Sequence, residues 1–354
     1  MDKTTTALAT PLREQLDSLA LFEPVEWPVV SLYLDLRPDQ HGRDRYADFL
    51  RKALPDRIRT LKGEARASLE RDAERISQYI SAQVSPSANG LAIFACSAVT
   101  DFFQAVQLEA PIEQHWLFIG SVPHLYPLAR LIDQYPRYGA VLVDTNSARL
   151  FVFGLGTSEK SDTVTNVKTR RTSMGGWSQA RYQRHAKNFH LHHMKEVVEV
   201  LDKMVRDEKL ERIVVGCDQT AKPRFMELLP KHLAETIVDV MPLEMKTPDH
   251  EVLAETLDAL RQHDAATDVE HVEQMLGAWR AGGLAVVGPE ATLKALSMGQ
   301  VEELLISDVD PETMKPSGEL VAGAHKNGAR VRIIEDGALL SGVGGVGALL
   351  RFKI

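Results

Sequence analysis

Residues 140–156 read AVLVDTNSARLFVFGLG. Two runs dense in Val, Leu and Phe flank DTNSA, and the Asp, Asn and Ser of that pentad favour a tight reversal over continued extension. The pattern predicts two strands joined as a hairpin. Residues 180–210 (ARYQRHAKNFHLHHMKEVVEVLDKMVRDEKL) then read as a long helix, because Phe189, His193, Val197 and Leu201 recur every four residues and share one face. RIVVGCD (212–218) and TIVDVMP (236–242) are short strand patterns, separated by a helix over AKPRFMELLPKHL (221–233) with Pro223 near its start. Hairpin, helix, strand, helix and strand in that order describe one α/β domain, placed at residues 137–265.

Toward the C-terminus, residues 248–283 are helical and end at Gly282 and Gly283. LAVVG (284–288), VEELLIS (301–307) and RVRIIE (330–335) are three short strands. The helices between them stop at Gly299 and Gly328, the usual C-terminal signal. With a glycine loop and a last strand in SGVGGVGALLRFKI (341–354), they make an α/β/α sandwich over residues 266–354. Toward the N-terminus, PVVSLYLDL (28–36) and GLAIFACSA (90–98) are buried strands, with FQAVQLEA (103–110) as partner of the second. Residues 44–80 read as helix interrupted near Pro55. Pro123, Pro127 and Pro136 break the pattern and close an N-terminal α/β domain, residues 1–136.

The chain has 354 residues, enough for two or three domains, with ordinary contents of 44% hydrophobic and 25% charged residues. The two cysteines make neither a disulfide framework nor a metal pattern, which fits a reducing cytoplasm. The first residues lack the apolar core of a signal peptide, and no apolar run approaches the ~20 residues of a membrane span. A net charge of −8 argues against a general nucleic-acid coat and leaves room for a local basic patch.

Such a patch exists. KTRRTSMGGWSQARYQRH (168–185) carries a glycine pair among cations. Between Thr163 and Lys195 stand Lys168, Arg170, Arg171, Arg181, Arg184, Lys187 and Lys195, and no acid. This is a concentrated phosphate-binding footprint. Gly175 and Gly176 permit close backbone approach, and Trp177 and Tyr182 have the faces to stack on unpaired bases. For ester hydrolysis the segment offers the Trp177 backbone N–H as an oxyanion donor and Gln179 to order water if the loop bulges there. An indole does not replace a carboxamide, because it donates one hydrogen bond and accepts none.

Other constellations are less specific. His185, His190, His192 and His193 lack the i, i+4 spacing that sets two imidazoles on one helix face, so no metal is predicted. Asp144 and Asp218 end two strands, as carboxylates of a magnesium-dependent nuclease do, but turn and cap roles are the commoner use. GVGGVG reads as a close-packed turn. Glu302, Glu303, Asp308 and Asp310 give the start of the C-terminal sandwich an acidic face, which repels phosphate and suits a protein partner.

The order of these segments resembles the archaeo-eukaryotic class-one release factors and Pelota. Residues 138–156, the basic glycine loop and the helix after it are similar to their middle domain. GPEATLKALSMGQVEELLIS (288–307) and GVGGVGALLRF (342–352) are similar to the two ends of their third domain. SLYLDL and GLAIFACSA resemble edges of the first. In bacteria the resemblance is to the archaeo-eukaryotic release factor-like family, which includes ribosome hibernation factors. It implies an RNase H-like middle domain and an L7Ae/L30e-like C-terminal sandwich. It further implies binding in the ribosomal A site: domain one toward the decoding centre, domain two toward the peptidyl-transferase centre, domain three on a translational GTPase such as elongation factor Tu. The family's release loop reads Gly-Gly-Gln; Gly175 and Gly176 match it, Trp177 takes the glutamine position, and Gln179 follows two residues on. DQHGRDRYADFL (39–50) carries nothing like the stop-codon-reading motif. The expectation is a cytoplasmic, cofactor-free protein that binds ribosomal RNA in the A site without decoding, in hibernation or rescue. A codon-independent peptidyl-tRNA hydrolase is the alternative, and an RNA nuclease a third.

Overall fold

Val29–Asp35 buries nearly every side chain, so this strand is covered on both faces. It lies inside the first of three sheets in the computed structural model, which describes residues 12–38, 45–99, 101–155, 157–165, 178–308 and 316–353. The protein is mixed α/β, and two compact units can be delimited: Met1–Gln134 with Ala265–Ile354, and Tyr135–Asp264.

In the first unit, α1 (Leu12–Ala20) precedes β1 (Val29–Asp35), followed by α2 (Arg45–Thr60), α3 (Gly63–Gln83), β2 (Gly90–Cys96), β3 (Phe102–Leu108), β4 (Trp116–Gly120) and α4 (Tyr126–Gln134). The sheet order is β3-β2-β1-β4, with β1 antiparallel to both β2 and β4. The expected pairing of FQAVQLEA with GLAIFACSA is present, Ala92 facing Val106. The helical stretch is not interrupted at Pro55. α2 runs through it, because a proline removes one N–H while Leu54 and Ile58 keep that turn on the core. The break comes at Leu61–Lys62, before Gly63 with φ +59°. Likewise, the proline-rich stretch after residue 123 holds a helix: Pro127 is the second residue of α4, where no helical N–H is needed.

The second unit contains β5 (Tyr138–Val143), β6 (Ser147–Gly154), β7 (Thr157–Thr165), α5 (Ser178–Asp207), β8 (Ile213–Cys217), α6 (Lys222–Leu228), α7 (Lys231–Ala234), β9 (Ile237–Met241) and the start of α8 (Asp249–Arg280). The predicted hairpin is β5–β6, with Val141 opposite Leu150. The order β7-β6-β5-β8-β9, antiparallel on the β7 side and parallel on the β9 side, is RNase H-like. Alternation along β5 builds two cores. Val141 and Val143 face α5 side chains, whereas Tyr138, Ala140 and Leu142 pack with Val252 and Leu260 of α8.

The remainder of α8 belongs to the first unit, where β10 (Ala285–Val287), α9 (Pro289–Ser297), β11 (Val301–Ser307), α10 (Ser317–Lys326), β12 (Arg330–Ile334), α11 (Ala338–Ser341) and β13 (Val346–Leu350) form a sandwich with sheet order β10-β13-β11-β12. GVGGVG is a turn. Gly344 and Gly345 take φ +78° and +76°, and a Cβ on Gly347 would meet Met275 at 2.8 Å. No described helix is long and apolar enough to cross a membrane.

Candidate nucleic-acid interface

Lys168, Arg170, Arg171, Gly175, Gly176 and Trp177 lie outside the described residues. The frame on either side of them is defined. β7 is the edge strand that leads in, and the 30-residue α5 leads out, about 45 Å long at 1.5 Å per residue. Met194, Val197, Val198, Leu201, Met204 and Val205 seat α5 on the sheet.

Two anchors fix this frame. At the β5–β6 turn, the Asp144 carboxylate accepts the Asn146 and Ser147 backbone N–H groups at 2.6 and 2.7 Å. His190 of α5 holds the same turn, its Nδ1 2.7 Å from the Thr145 carbonyl. At the far end, Arg137 pairs with Glu159 of β7 at 2.7 Å and with Glu208, just after α5, at 2.8 Å; Lys160 of β7 reaches Glu208 at 3.1 Å. Hydrogen bonds from Arg137 and then Lys160 hold the Glu208 carboxyl below the usual range.

Gln179, Arg181, Tyr182, Arg184 and Lys187 occupy the first three turns of α5. Gln179 is thus carried on helical backbone, as the second residue of α5, and not on a loop bulge. Helical periodicity sets positions 192 and 195 on the side opposite Val197, Leu201 and Met204. His192 and Lys195 on that side are exposed. The first turn contains no acid, so the partial positive charge of the helix N-terminus adds to the cations.

The carboxylates considered for nuclease chemistry are engaged in turns. Asp218 accepts from the Thr220 hydroxyl at 2.7 Å, the Ala221 N–H at 2.6 Å and the Thr220 N–H at 2.9 Å, which together hold its carboxyl below the ordinary value. Among the described residues no three His, Cys, Asp or Glu side chains gather as a metal site. His193 is buried while His192 is exposed, so the described part of the histidine cluster does not converge.

The acidic face expected at the start of the sandwich is not one. Glu303 is buried, 2.9 Å from His271 Nδ1 and 3.6 Å from Arg332. Asp308 is paired with Arg130 at 2.5 Å. Glu302 is exposed and 3.5 Å from Arg330; Asp310 lies outside the described residues. These partners are 28 to 178 residues away in sequence, so local charge reading misses them.

A different surface stands out on the same sandwich. Trp279, Leu284, Met298 and Phe352 are 44, 44, 39 and 45% exposed. Main-chain bonds bring their segments together: Leu350 N–H to the Leu284 carbonyl, and Arg351 N–H to the Gln300 carbonyl at 2.8 Å. Arg280, Arg351 and Lys353 are its neighbours in sequence. Sequence periodicity gives no sign of this cluster, because it is assembled from the ends of three segments; an aromatic beside the helix-ending glycines is the one local hint.

Residues 123–261 match the model of Bacterial archaeo-eukaryotic release factor family 10, and residues 265–354 match eRF1 domain 3. Together the two matches span more than half of the chain. Over residues 123–261 the chain resembles the bacterial archaeo-eukaryotic release factor-like family, and over residues 265–354 the third domain of eRF1. It is 21% identical over 407 residues to peptide chain release factor subunit 1 of Thermococcus kodakarensis, covering 97% of each chain. It is 26% identical over 171 residues to the pelota homolog of Pyrococcus furiosus, covering 45% of this chain and 48% of that one. Among solved structures, the archaeal translation termination factor aRF1 matches with 20% identity and a TM-score of 0.29, covering 96% and 97% of the two chains. A model of ribosome-bound archaeal Pelota and ABCE1 matches with 16% identity and a TM-score of 0.46, covering 97% and 94%. By sequence this chain resembles release factor and Pelota translation factors. In sequence, the glycine pair falls between β7 and α5, whose outer ends are both pinned.

Proposed function

We propose that this release factor-like protein occupies the ribosomal A site of vacant or stalled ribosomes without reading a stop codon, in hibernation or rescue. The observation that carries the reading is Gly175-Gly176-Trp177: the glycines of the release loop are present and an indole follows where the carboxamide stands in the family. Gln179 does not substitute in place, since it belongs to α5. Lys168, Arg170, Arg171, Arg181, Arg184 and Lys187 bind ribosomal RNA phosphates, with Trp177 and Tyr182 stacking on bases. The protein works in the cytoplasm as three domains, residues 1–136, 137–265 and 266–354. The C-terminal domain meets a translational GTPase such as elongation factor Tu. The exposed Trp279, Leu284, Met298 and Phe352 surface replaces the acidic face as its contact, because clustered exposed apolar side chains suit a protein partner.

One observation favours the second reading, a codon-independent peptidyl-tRNA hydrolase. In sequence, residue 177 follows the glycine pair at the position the family uses, and a backbone N–H there would serve as an oxyanion donor whatever the side chain.

Cosedimentation with 70S ribosomes, followed by structure determination of the complex, tests the proposal. A-site occupancy with residues 168–187 against ribosomal RNA is the expected result. Failure to pellet at any salt concentration, or binding outside the A site, contradicts it.

A further inference from the structure

Within the first unit, the N-terminal segment and the C-terminal sandwich share a joint built by α1 and α4 on one side and α10 with the end of β11 on the other. At its centre the buried Tyr126 hydroxyl donates to the Ser307 carbonyl at 3.0 Å. Arg130 donates to Asp308 at 2.9 Å and to Glu113 at 2.8 Å. At its rim, His325 Nδ1 is 2.8 Å from the Asp17 carboxylate, and Lys326 donates to Glu23 at 2.9 Å.

The first turn of α10 rests on an imidazole. A Cβ placed on Gly318 would lie 2.9 Å from Cγ and Cδ2 of His124 and 3.0 Å from its Nδ1. The same ring stacks on Phe118 of β4, centroids 3.8 Å apart and planes 22° from parallel. His124 Nδ1 is enclosed and has no hydrogen-bond partner among the described residues. A neutral imidazole fits this slot as a flat ring. An imidazolium would bring in a second N–H that finds no acceptor, together with a charge.

We propose that the contact of α10 with His124 is a protonation-sensitive latch, closed while the imidazole is neutral and released when it is charged. The main chain at His124 is held apart from the ring: Tyr33 of β1 donates to its carbonyl at 2.6 Å, and its N–H donates to the Ser31 hydroxyl at 2.8 Å. The side chain alone therefore answers to pH. The charged groups on the surrounding elements are Arg57 of α2 and Glu319 of α10, one of each sign, which line the same 410 Å³ cleft. Arg130 of α4 is already paired with Asp308 and Glu113. At the other end of α10, burial holds the His325 ring below its ordinary value in spite of its Asp17 partner, so its protonation loosens the same joint, and a variant at His124 separates the two contributions. Burial pushes the His124 ring down to about 4 in the closed joint. The value is depressed relative to an exposed histidine, so the latch holds fully above about pH 6.5 and weakens as pH falls toward 4.

The test uses the full chain with probes on Ser77→Cys of α3 and Ser297→Cys of α9, both exposed, since Cys96 and Cys217 are buried. Double electron–electron resonance reads the distance between them. From pH 7.5 to pH 5 the ratio of long- to short-distance populations is expected to rise about 30-fold. His124→Phe keeps a flat ring without a titrating group and is expected to lose most of the acid opening, leaving only the smaller part that His325 contributes. Gly318→Ala raises helix propensity and drives a methyl into the ring, so it is expected to populate the long distance already at pH 7.5. An unchanged wild-type distribution at pH 5, acid opening of His124→Phe as in the wild type, or a fully closed Gly318→Ala at pH 7.5 would each overturn the latch.

Discussion

Two charged stretches of this chain look alike on paper and end differently. Residues 163–195 hold seven cations and no acid; residues 301–310 hold four carboxylates and no cation. In the second, folding brings His271, Arg332 and Arg130 onto Glu303 and Asp308, and these two carboxylates are paired within the protein. In the first, the exposed Lys195 and His192 remain on the outer side of α5, and His190 reaches the Thr145 carbonyl of the hairpin. A run of one sign reports a binding surface only when the fold leaves it without counter-charges, and those counter-charges come from far away in sequence.

The contrast is sharpest within one dipeptide. Glu303→Ala removes a buried carboxylate shared by Arg332 and the His271 ring and is expected to cost about 3–5 kcal/mol in equilibrium urea unfolding. Glu302→Ala removes an exposed partner of Arg330 and is expected to cost under about 1 kcal/mol. Equal losses would mean that the buried network carries no more than the surface pair.

For the basic stretch the readout is binding. Replacing Arg170, Arg171, Arg181 and Arg184 with Ala is expected to lower ribosome affinity by about 10²-fold and to flatten its salt dependence. A variant that pellets like the wild type at every salt concentration would place the interface elsewhere.

Asp72 adds a smaller and pH-dependent case. It is buried on α3 and accepts the Ser97 N–H at 2.9 Å, and burial lifts its carboxyl to about 6 in spite of that bond. The folded value exceeds the unfolded one, so its contribution is fully present below about pH 4 and is lost as pH rises through 6. Asp72→Asn is therefore expected to stabilise the protein at pH 7.5 by about 1–2 kcal/mol and to have little effect at pH 4, measured as urea midpoints. Stabilisation at pH 4 and none at pH 7.5 would reverse the assignment.

Much of the fold was legible because its strands are apolar runs bounded by turn residues, as β5, β6, β8 and β11 show. β7 was missed because TSEKSDTVT is a polar edge strand, held by its ladder to β6 and by Arg137, and neither is visible in a local window. α4 was missed because its prolines read as breakers, although Pro127 sits in the first turn. Of the candidate site, residue types and spacing were legible in KTRRTSMGGWSQARYQRH, and so was the turn role of Asp144 and Asp218. The His190 anchor and the Trp279–Phe352 surface were not, because each joins residues that only the fold makes neighbours.

The central claim is that the loop of Gly175, Gly176 and Trp177 binds without fast chemistry. Release of labelled peptide from P-site tRNA, on ribosomes with no stop codon in the A site, tests it most directly. The account predicts that wild-type protein binds these ribosomes and releases peptide no faster than ribosomes alone, with Trp177→Gln the variant that gains release. Fast release by the wild type, abolished by Gly176→Ala or by Gln179→Ala, would contradict it and establish the hydrolase.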